Sequence, residues 1–402
     1  MNNLDDPLYL SAREAATELA VSPATLYAYV SRGLIRSEPG ENPRIRRYRA
    51  EDVRGLKNRR APTIEGGGSR ADLPVLDSAI STITEEGSIY RGVYAVALSQ
   101  TATFEQAATL LWDSKSSDPF VKSNLPNVSA SMRKVLDAAR DANPMDRTVA
   151  VLALAADADP RAYNSVAEGR TAIGARILRL VVAAMVGSEP SADPLHKQIA
   201  RAWAPQHRSA EDLIRRVLVL LADHELNAST FTVRCAASTG ISLYDAVISG
   251  LVALKGPKHG GAGPLASKLV ETLLEGDVAA IVRERVALGE RFAGFGHMIY
   301  RKGDPRGVSL LQELTKAGAD KRLTVEVPER IAEATGAFVN IDYALAVLCK
   351  TLGLARGSET AIFAMARTAG WVAHAIEQLE SHTLIRPRAR YIGPAPGRAT
   401  KR

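Results

Sequence analysis

The sequence has 402 residues, of which 46% are hydrophobic and 24% are charged, a composition typical of an ordinary globular protein. Its formal net charge of +7 suits a polyanionic partner, but phosphorylated small molecules and DNA both qualify, so charge alone does not choose between them. Aromatic residues make up only 5% while Ala and Leu recur throughout, which argues against a β-sandwich and predicts a mainly α fold.

The beginning of the chain and its cysteines indicate a cytoplasmic protein. Residues 1–7 contain no basic region followed by an apolar run, and no apolar stretch elsewhere approaches membrane-spanning length. Cys235 and Cys349 lie far apart in apolar stretches, where an unpaired cysteine usually behaves as a small buried hydrophobe. We therefore expect a reducing, cytoplasmic location and no membrane partner.

Two short helices joined by a tight turn are predicted over residues 11 to 31. Ser11 is a candidate N-cap of the first helix. Ser22 is a candidate N-cap of the second, with Pro23 at its first position and Gly33 beyond its end. The pair is therefore expected to form a helix-turn-helix.

A basic segment follows these helices. It contains ten basic residues: Arg32, Arg36, Arg44, Arg46, Arg47, Arg49, Arg54, Lys57, Arg59 and Arg60. The helices, with Thr25, Tyr29 and Arg32 expected on an outer face, and the basic run that follows them resemble a MerR-type winged helix-turn-helix over about residues 8 to 58. The resemblance implies DNA as a partner, bound through residues 8 to 60.

Residues 59 to 70 have the Gly, Pro and charge content of a flexible linker. They predict a boundary near residue 62, with a helix-turn-helix domain and the start of the linker in 1–62 and a nearly all-α body in 63–402. Apolar periodicity predicts these helices in the body: 104–113, 129–142, 146–157, 171–187, 209–223, 242–254, 264–275, 278–289, 328–336, 341–353 and 359–379.

Three segments of the body place ionisable side chains beside glycines or at a helix end. His259 precedes a predicted helix, His297 follows Gly294 and Gly296, and Asp342 lies at the start of an apolar helix. The dipole of the helix after His259 disfavours a positive charge on its imidazole, and a neutral imidazole that donates a hydrogen bond suits a developing enolate.

Each of these features also has an ordinary structural explanation. A single histidine beside glycines is more often a loop residue, and an aspartate at a helix start is usually only a cap. The seven histidines include no His-x-x-x-His pair and no matching cysteine cluster, so no metal site is predicted. The glycine-rich run 256–263 does not end in Gly-Lys-Ser/Thr and is not a nucleotide loop. Taken singly, the segments leave the function open.

Taken in order, the segments resemble the citrate synthase family over about residues 75 to 395. The resemblance includes the stretches 86–92 and 104–112 near its start and 366–374 and 385–394 near its end. It implies a citrate-synthase-type fold with a large helical domain and a small one, about residues 261–347, that closes over the substrates. It also implies a homodimer with shared active sites, and no cofactor, since the acyl-CoA is a substrate.

The same resemblance assigns roles to individual residues. It implies that His259 stabilises the enol of the acyl-CoA, that His297 polarises the carbonyl group of oxaloacetate and that Asp342 is the catalytic base. Four residues are implied to bind oxaloacetate: His224, Arg306, Arg367 and Arg386. Arg386 is implied to reach the site of the second subunit, and a looser match places Arg301 at the CoA phosphates. Three histidines match nothing and are expected, like His374, to be surface or structural residues: His196, His207 and His382.

Three functions are compatible with these residues. The first is condensation of acetyl-CoA with oxaloacetate to citrate, and the second is formation of 2-methylcitrate from propionyl-CoA. One methylene group in an apolar pocket discriminates by only ~1 to 3 kcal/mol, so the sequence does not decide between them. The third is a DNA-binding regulator with a metabolite-sensing body. Lys258 and Gly263 depart from the usual pattern of the family, but the intact trio favours an enzyme over a regulator, and of the two substrates we expect acetyl-CoA.

Overall fold

The computed structural model describes residues 9–19, 21–40, 45–60, 76–115 and 118–393, and it is mainly helical, as predicted. The proposed boundary near residue 62 and most of the predicted linker lie outside these residues. Within them, no helix is long and apolar enough to cross a membrane. The described His, Cys, Asp and Glu side chains also form no group of three or more that could hold a metal ion.

The N-terminal unit, which comprises the described residues from 9 to 60, has a small core of its own. Its elements are β1 (Tyr9–Ser11), α1 (Ala12–Leu19), α2 (Pro23–Ser31), β2 (Ser37–Pro39), β3 (Arg46–Arg49) and α3 (Ala50–Arg60). The strands form an antiparallel sheet in the order β1-β3-β2. Leu26, Tyr48 and Val53 are among the side chains that fill the core between the sheet and the helices.

The N-terminus of α2 has the cap that the sequence predicts, but Tyr29 lies on the buried face of the helix and not on the exposed face. The hydroxyl oxygen of Ser22 accepts a hydrogen bond from the N–H of Thr25, and Pro23 lies in the first turn. Tyr29, expected on the outer face, is buried instead, while Tyr27 is exposed. Residues three apart share a helix face, so Tyr29 follows Leu26 into the core.

A second antiparallel sheet opens the body, in the order β4-β5-β6. Its strands are β4 (Ser81–Thr84), β5 (Gly87–Tyr90) and β6 (Val93–Tyr94). The helices that follow are α4 (Ala95–Thr101), α5 (Phe104–Leu111), α6 (Ala130–Ala138), α7 (Pro144–Ala158), α8 (Ala167–Val186), α9 (Leu195–Trp203), α10 (Ala210–Leu221), α11 (Ala228–Ala237), α12 (Leu243–Leu254), α13 (Ala262–Glu275), α14 (Val278–Ala287), α15 (Pro305–Lys316), α16 (Val327–Thr335), α17 (Ile341–Thr351) and α18 (Ser358–Ser381). A 3-10 turn (Lys122–Asn124) and a π-helical turn (Arg322–Glu326) complete the set.

Every helix predicted between residues 104 and 379 is present, and Asp277 caps α14 as expected. Four helices were not predicted: α4, α9, α11 and α15. They have 7 to 12 residues, and α11 carries Thr230, Thr232 and Val233, β-branched residues that favour strands when judged alone. Their packing against neighbouring helices stabilises them despite this weak local preference.

Helix α18 is the centre of the body. It has 24 residues, is buried on nearly every side, and packs against α5, α8, α10, α11 and α12. A helix that is covered on nearly every side lies inside a fold, and its buried polar side chains are then available to a site there. Gly370 lets it approach the end of α10 closely, since a Cβ atom at this position would lie 2.2 Å from Oδ1 of Asp223.

Helices α13 to α17 form a second group, called here the α13–α17 group. Within it α17 packs on α13 and α15, and α14 packs on α16. The group contacts the rest of the body through α4, α10 and α18. Outside the body, α3 of the N-terminal unit packs on α16, a contact that the sequence analysis did not predict.

Candidate active site

Two histidines and a tyrosine meet between the two groups of helices. His224 follows α10, whereas His297 and Tyr300 lie in the segment between α14 and α15. The ring centroids of His224 and His297 are 5.7 Å apart, and those of His297 and Tyr300 are 4.6 Å apart. The hydroxyl group of Tyr300 lies 3.3 Å from Nε2 of His224 and 3.1 Å from the hydroxyl oxygen of Ser88 on β5. The structure thus brings together His224 and His297, as the sequence analysis expected.

The backbone determines which nitrogen of His297 carries the proton. Its Nδ1 accepts hydrogen bonds from the N–H groups of Ile299, at 3.1 Å, and Tyr300, at 3.3 Å. Burial lowers the pKa of His297, with the charge of Asp304 opposing this shift and that of Arg306 adding to it. The ring is therefore neutral with its proton on Nε2, which makes Nε2 a hydrogen-bond donor.

His259 lies just before α13 and is held by the start of α11. Its Nε2 is 2.8 Å from the hydroxyl oxygen of Ser229, which also accepts a hydrogen bond from Nε1 of Trp371 at 3.2 Å. The pKa of His259 is lowered mainly by burial and further by the charge of Arg367. The single hydroxyl proton of Ser229 is shared between His259 and Oδ1 of Asn227. When it points to His259, the neutral ring carries its own proton on Nδ1.

Arg306 is fixed by a buried carboxylate at the start of α15. Its Nε and Nη2 atoms donate to the two oxygens of Asp304 at 3.0 and 2.7 Å. Burial alone would lower the pKa of Arg306, but the charge and hydrogen bonds of Asp304 raise it. Asp304 also accepts from the N–H of Ile341 at 3.3 Å, which ties this arginine to the first turn of α17. The guanidinium is therefore held charged and in one orientation.

Arg367 on α18 is a buried cation with an unused donor. Its side chain is 1% exposed, Nε donates to the carbonyl oxygen of Leu221 at 3.0 Å, and Nη1 has no partner among the described residues. Burial lowers the pKa of Arg367 to about 10. The guanidinium lies 4.6 Å from the ring centroid of Phe363, which in turn contacts the ring of His259. A buried guanidinium with a free N–H is a strong binding position for an anion.

Asp342 is the second residue of α17, but it is not the cap of the helix. Asn340 caps α17, and its side chain accepts from the N–H of Asp342 at 3.0 Å. No described residue donates a hydrogen bond to the Asp342 carboxylate. Burial raises its pKa, the charge of Asp304 adds to this shift, and Arg306 and Arg367 oppose it. An unpaired carboxylate with a raised pKa is the form that a general base requires.

Two of the predicted site residues do not join this cluster. Arg386 is exposed in the segment after α18, and no described hydrogen bond or ion pair connects it to the residues above. Arg301 is also exposed, in the segment between α14 and α15. Their roles remain predictions.

The sequence analysis missed a buried network beside the cluster. His374 is fully buried, with Nε2 3.4 Å from Oδ2 of Asp223 and Nδ1 3.4 Å from Nη1 of Arg234. Asp223 precedes His224 directly and also accepts a hydrogen bond from the hydroxyl group of Ser81. The available signal was spacing, since His374 lies seven residues after Arg367 and therefore on the same face of α18. His374 is a structural residue that supports the site.

Together these side chains define a class of enzyme. Three neutral histidines, an unpaired carboxylate and two buried guanidinium groups lie near one another, because the charge of one or both arginines acts on each of the other four groups. Such an arrangement binds a carboxylate-bearing substrate and transfers protons at it.

Comparison with known proteins specifies the family. The family model described as "Citrate synthase, C-terminal domain" matches residues 69–388. Citrate synthase 2 of Bacillus subtilis strain 168 is 30% identical over 346 residues, which cover 79% of this chain and 93% of that protein. The 2-methylcitrate synthase of Shewanella oneidensis is 29% identical over 84% of this chain and 97% of its own. A crystal structure of citrate synthase from Thermotoga maritima is 25% identical, with a TM-score of 0.67, and covers 84% of this chain and 98% of that one. The chain belongs to the citrate synthase family and is an acyltransferase.

Proposed function

We propose that this enzyme condenses acetyl-CoA with oxaloacetate to give citrate and CoA. The observation that carries the proposal is the unpaired, partly buried carboxylate of Asp342, which lies near the same two arginines as the neutral histidines His259 and His297. A ligand-sensing body has a use for arginines that bind carboxylates but none for a base with a raised pKa. The names of its relatives leave both acetyl-CoA and propionyl-CoA as substrates within the family.

The first step is removal of a proton from the methyl group of the thioester. Asp342 takes this proton, and Nδ1–H of His259 donates a hydrogen bond to the oxygen of the enol that forms. A donor placed in advance at developing oxyanion charge is worth ~3 to 4 kcal/mol. When the Ser229 hydroxyl proton points to Nε2 instead of to Asn227, His259 is in the tautomer that this step needs.

The second step is attack of the enol carbon on the keto carbon of oxaloacetate. Nε2–H of His297 polarises the keto group and gives its proton to the alkoxide as the carbon–carbon bond forms. The ring then regains a proton from water and Asp342 gives its own proton to water, which returns both groups to their starting forms. Arg367, with its unused Nη1, and His224 and Arg306 hold the carboxylates of oxaloacetate. Water then hydrolyses the citryl thioester, which releases citrate and CoA.

We further propose that the small domain, about residues 261–347, closes over the substrates, and that the enzyme is a homodimer. The described tail after α18 supports the dimer, because its apolar side chains lie outside the core. Leu384, Tyr391 and Ile392 are 60%, 73% and 87% exposed. An apolar tail of this kind is stabilised by packing on a second copy, which would bring Arg386 to that copy's active site.

Release of CoA thiol from acetyl-CoA in the presence of oxaloacetate tests the enzyme proposal. Comparing kcat/KM for acetyl-CoA and propionyl-CoA identifies the substrate, and we expect acetyl-CoA to be preferred. Binding of both substrates with no thiol release would contradict the enzyme proposal. A clear preference for propionyl-CoA would make the product 2-methylcitrate.

A second candidate function is DNA binding by a winged helix-turn-helix within residues 8 to 60. The observation that favours it is the exposed surface formed by Tyr27 and Arg32 at α2 and by Arg46 and Arg47 on β3. Arg46 donates to Ser37, and the guanidinium of Arg47 lies 5.0 Å from the ring centroid of Tyr9, so both are held on the sheet. Arg46→Gln with Arg47→Gln should weaken duplex binding and reduce its dependence on salt. An absence of duplex binding by the full chain at low salt would remove this function.

A further inference from the structure

Arg54 connects the N-terminal unit to the α13–α17 group. Although it belongs to the basic segment, its side chain is buried, at 7% exposed. Nη2 donates to the carbonyl oxygen of Val286 at 2.6 Å, and Nη1 donates to that of Ala334 at 3.4 Å. Nε forms an ion pair with Glu18 of α1 at 2.9 Å. Arg54 is thus unavailable to a phosphate group and serves as a contact between two parts of the protein.

The two carbonyl groups that Arg54 binds explain why an arginine is placed here. Val286 lies in the last turn of α14, and Ala334 lies in the last turn of α16. Carbonyl groups in the last turn of a helix lack a partner within the helix and lie at the negative end of its dipole. One guanidinium satisfies both ends while α3 packs on α16. Removing it leaves the carbonyl oxygen of Ala334 without its donor, whereas that of Val286 still accepts from the N–H of Gly289 at 3.1 Å.

The helix that Arg54 contacts leads directly into the catalytic residues. α16 ends before Gly336, and the segment 337–340 runs from there to Asp342 on α17. This segment is bonded to the one before His297, because the N–H of Gly296 donates to Phe338 at 2.7 Å and the N–H of Asn340 donates to Gly294 at 2.9 Å. α16 is therefore coupled by backbone hydrogen bonds to the segments that position His297 and Asp342.

The candidate substrate site spans the two groups of helices. His224 lies in the segment after α10 and Arg367 lies on α18. His297 and Arg306 belong to the α13–α17 side of the site. Oxaloacetate bound by both sets fixes the position of the α13–α17 group relative to α18. Through Arg54, it also fixes the position of the N-terminal unit.

We infer that occupancy of the active site by oxaloacetate changes the affinity of the N-terminal unit for duplex DNA, with Arg54 as the mechanical link. This inference rests on the two functions proposed above. Because binding free energies are linked, the duplex changes the affinity for oxaloacetate by the same factor. Couplings of this kind are commonly about 5- to 150-fold in affinity.

The experiment uses the full-length chain and a fluorescein-labelled duplex that this protein enriches from a random-sequence pool. The Kd for the duplex is measured by anisotropy at constant salt, with and without saturating oxaloacetate, and the Kd for oxaloacetate is measured by calorimetry with and without the duplex. We expect each ligand to change the Kd of the other by the same factor, at least about fivefold.

Two variants interrupt the link from opposite sides. Arg54→Gln removes the guanidinium, and Ala334→Arg adds a like charge beside it while leaving the N-terminal unit unchanged. Both should retain duplex binding and thiol release and reduce the coupling to less than about twofold, below the usual range of coupled sites. Arg283→Gln is the matched control, because this α14 arginine is exposed and donates to Ala279 of its own helix. It should couple as the wild type does.

The outcomes separate the proposals. A duplex Kd that is the same with and without bound oxaloacetate overturns the coupling alone. Full coupling in both Arg54→Gln and Ala334→Arg overturns the assignment of the link to Arg54. No duplex binding under any condition overturns the DNA-binding proposal, and the coupling with it. If Arg54→Gln does not fold, Ala334→Arg decides the question.

Discussion

The rings of His224 and His297 meet edge to face with centroids 5.7 Å apart, although one follows α10 and the other belongs to the α13–α17 side of the site. Both are neutral, because burial lowers the pKa of each, and the nearby charges of Arg306 and Arg367 lower that of His224 further. Two neutral rings from opposite sides can bind one substrate as hydrogen-bond partners without repelling each other. The close approach of these two rings is therefore compatible with their charge.

Replacing the proposed base should remove the chemical step while the protein stays folded. Asp342→Asn is expected to lower kcat by about 10²- to 10⁴-fold, the usual contribution of a general base. Asp277→Asn is the matched control, because asparagine caps a helix as well as aspartate does and α14 should be unaffected. Thiol release measures both variants. A kcat for Asp342→Asn within threefold of the wild type would assign the base elsewhere.

The same replacement should stabilise the protein at neutral pH. Burial raises the pKa of Asp342 in the folded state, so folding favours its protonated form. The ionised carboxylate therefore costs stability as pH rises through its folded pKa, and this cost is absent below its unfolded pKa. Asp342→Asn should have a higher Tm than the wild type at pH 7 and a smaller difference at pH 4. An equal or lower Tm at pH 7 would argue against the raised pKa.

The pH dependence of kcat/KM follows from the same shifts. Asp342 has to be ionised to act, and its pKa is above the ordinary aspartate value of about 3.9. His259 and His297 have to be neutral, and their pKa values lie below the ordinary histidine value of about 6.5. Activity should therefore fall on the acid side at a pH above about 3.9, and the histidines should add no loss of activity above about pH 6.5. A loss of activity centred above pH 7 that is assigned to either histidine would contradict its lowered pKa.

Arg367 should combine a binding role with a cost in stability. Arg367→Gln removes a charge-assisted contact worth ~1.5 to 3 kcal/mol, so KM for oxaloacetate should rise about 10- to 150-fold. Without ligand, the variant should have a higher Tm, because burial lowers the pKa of Arg367 to about 10 and so disfavours the charge. Oxaloacetate should raise the Tm of the wild type more than that of the variant. Differential scanning fluorimetry with and without oxaloacetate measures both effects.

The shared active site is tested by mixing a variant without the base and a variant that requires more oxaloacetate. If Arg386 serves the site of the second copy, Asp342→Ala and Arg386→Ala refolded together give heterodimers with one intact site. Random pairing makes about half the dimers mixed, so activity at limiting oxaloacetate should approach roughly a quarter of wild type. Arg388→Ala, an exposed neighbour in the same tail, replaces Arg386→Ala in the control. If mass analysis shows heterodimers and activity stays at the parental average, Arg386 serves its own chain.

Removing residues 1–62 tests how far the N-terminal unit and the body are independent. The catalytic residues all lie in the body, so kcat should stay close to that of the full chain. The truncation also removes Arg54 and uncovers the carbonyl oxygens of Val286 and Ala334, so the Tm should fall. Failure of the truncated chain to fold would show that the body depends on the N-terminal unit.

Much of the fold was determined by local sequence. All the helices that apolar periodicity predicted between residues 104 and 379 are present, and Ser22 and Asp277 cap their helices as predicted. Both kinds of signal depend on residues only a few positions apart. The order of the motifs predicted the family, with His259, His297 and Asp342 as candidates. The β-branched helix α11 was missed because its stability comes from packing and not from its own residues.

Only the tertiary structure decided what those candidates can do. The proton on Nε2 of His297 follows from two backbone N–H groups, and the unused donor of Arg367 follows from its burial under α10. The pairing of His374 with Asp223 and the docking of Arg54 on α14 and α16 join residues more than a hundred positions apart. Burial, tautomers and pKa shifts depend on the groups that surround a side chain in space. The periodicity and spacing of residues along the sequence do not reveal those groups.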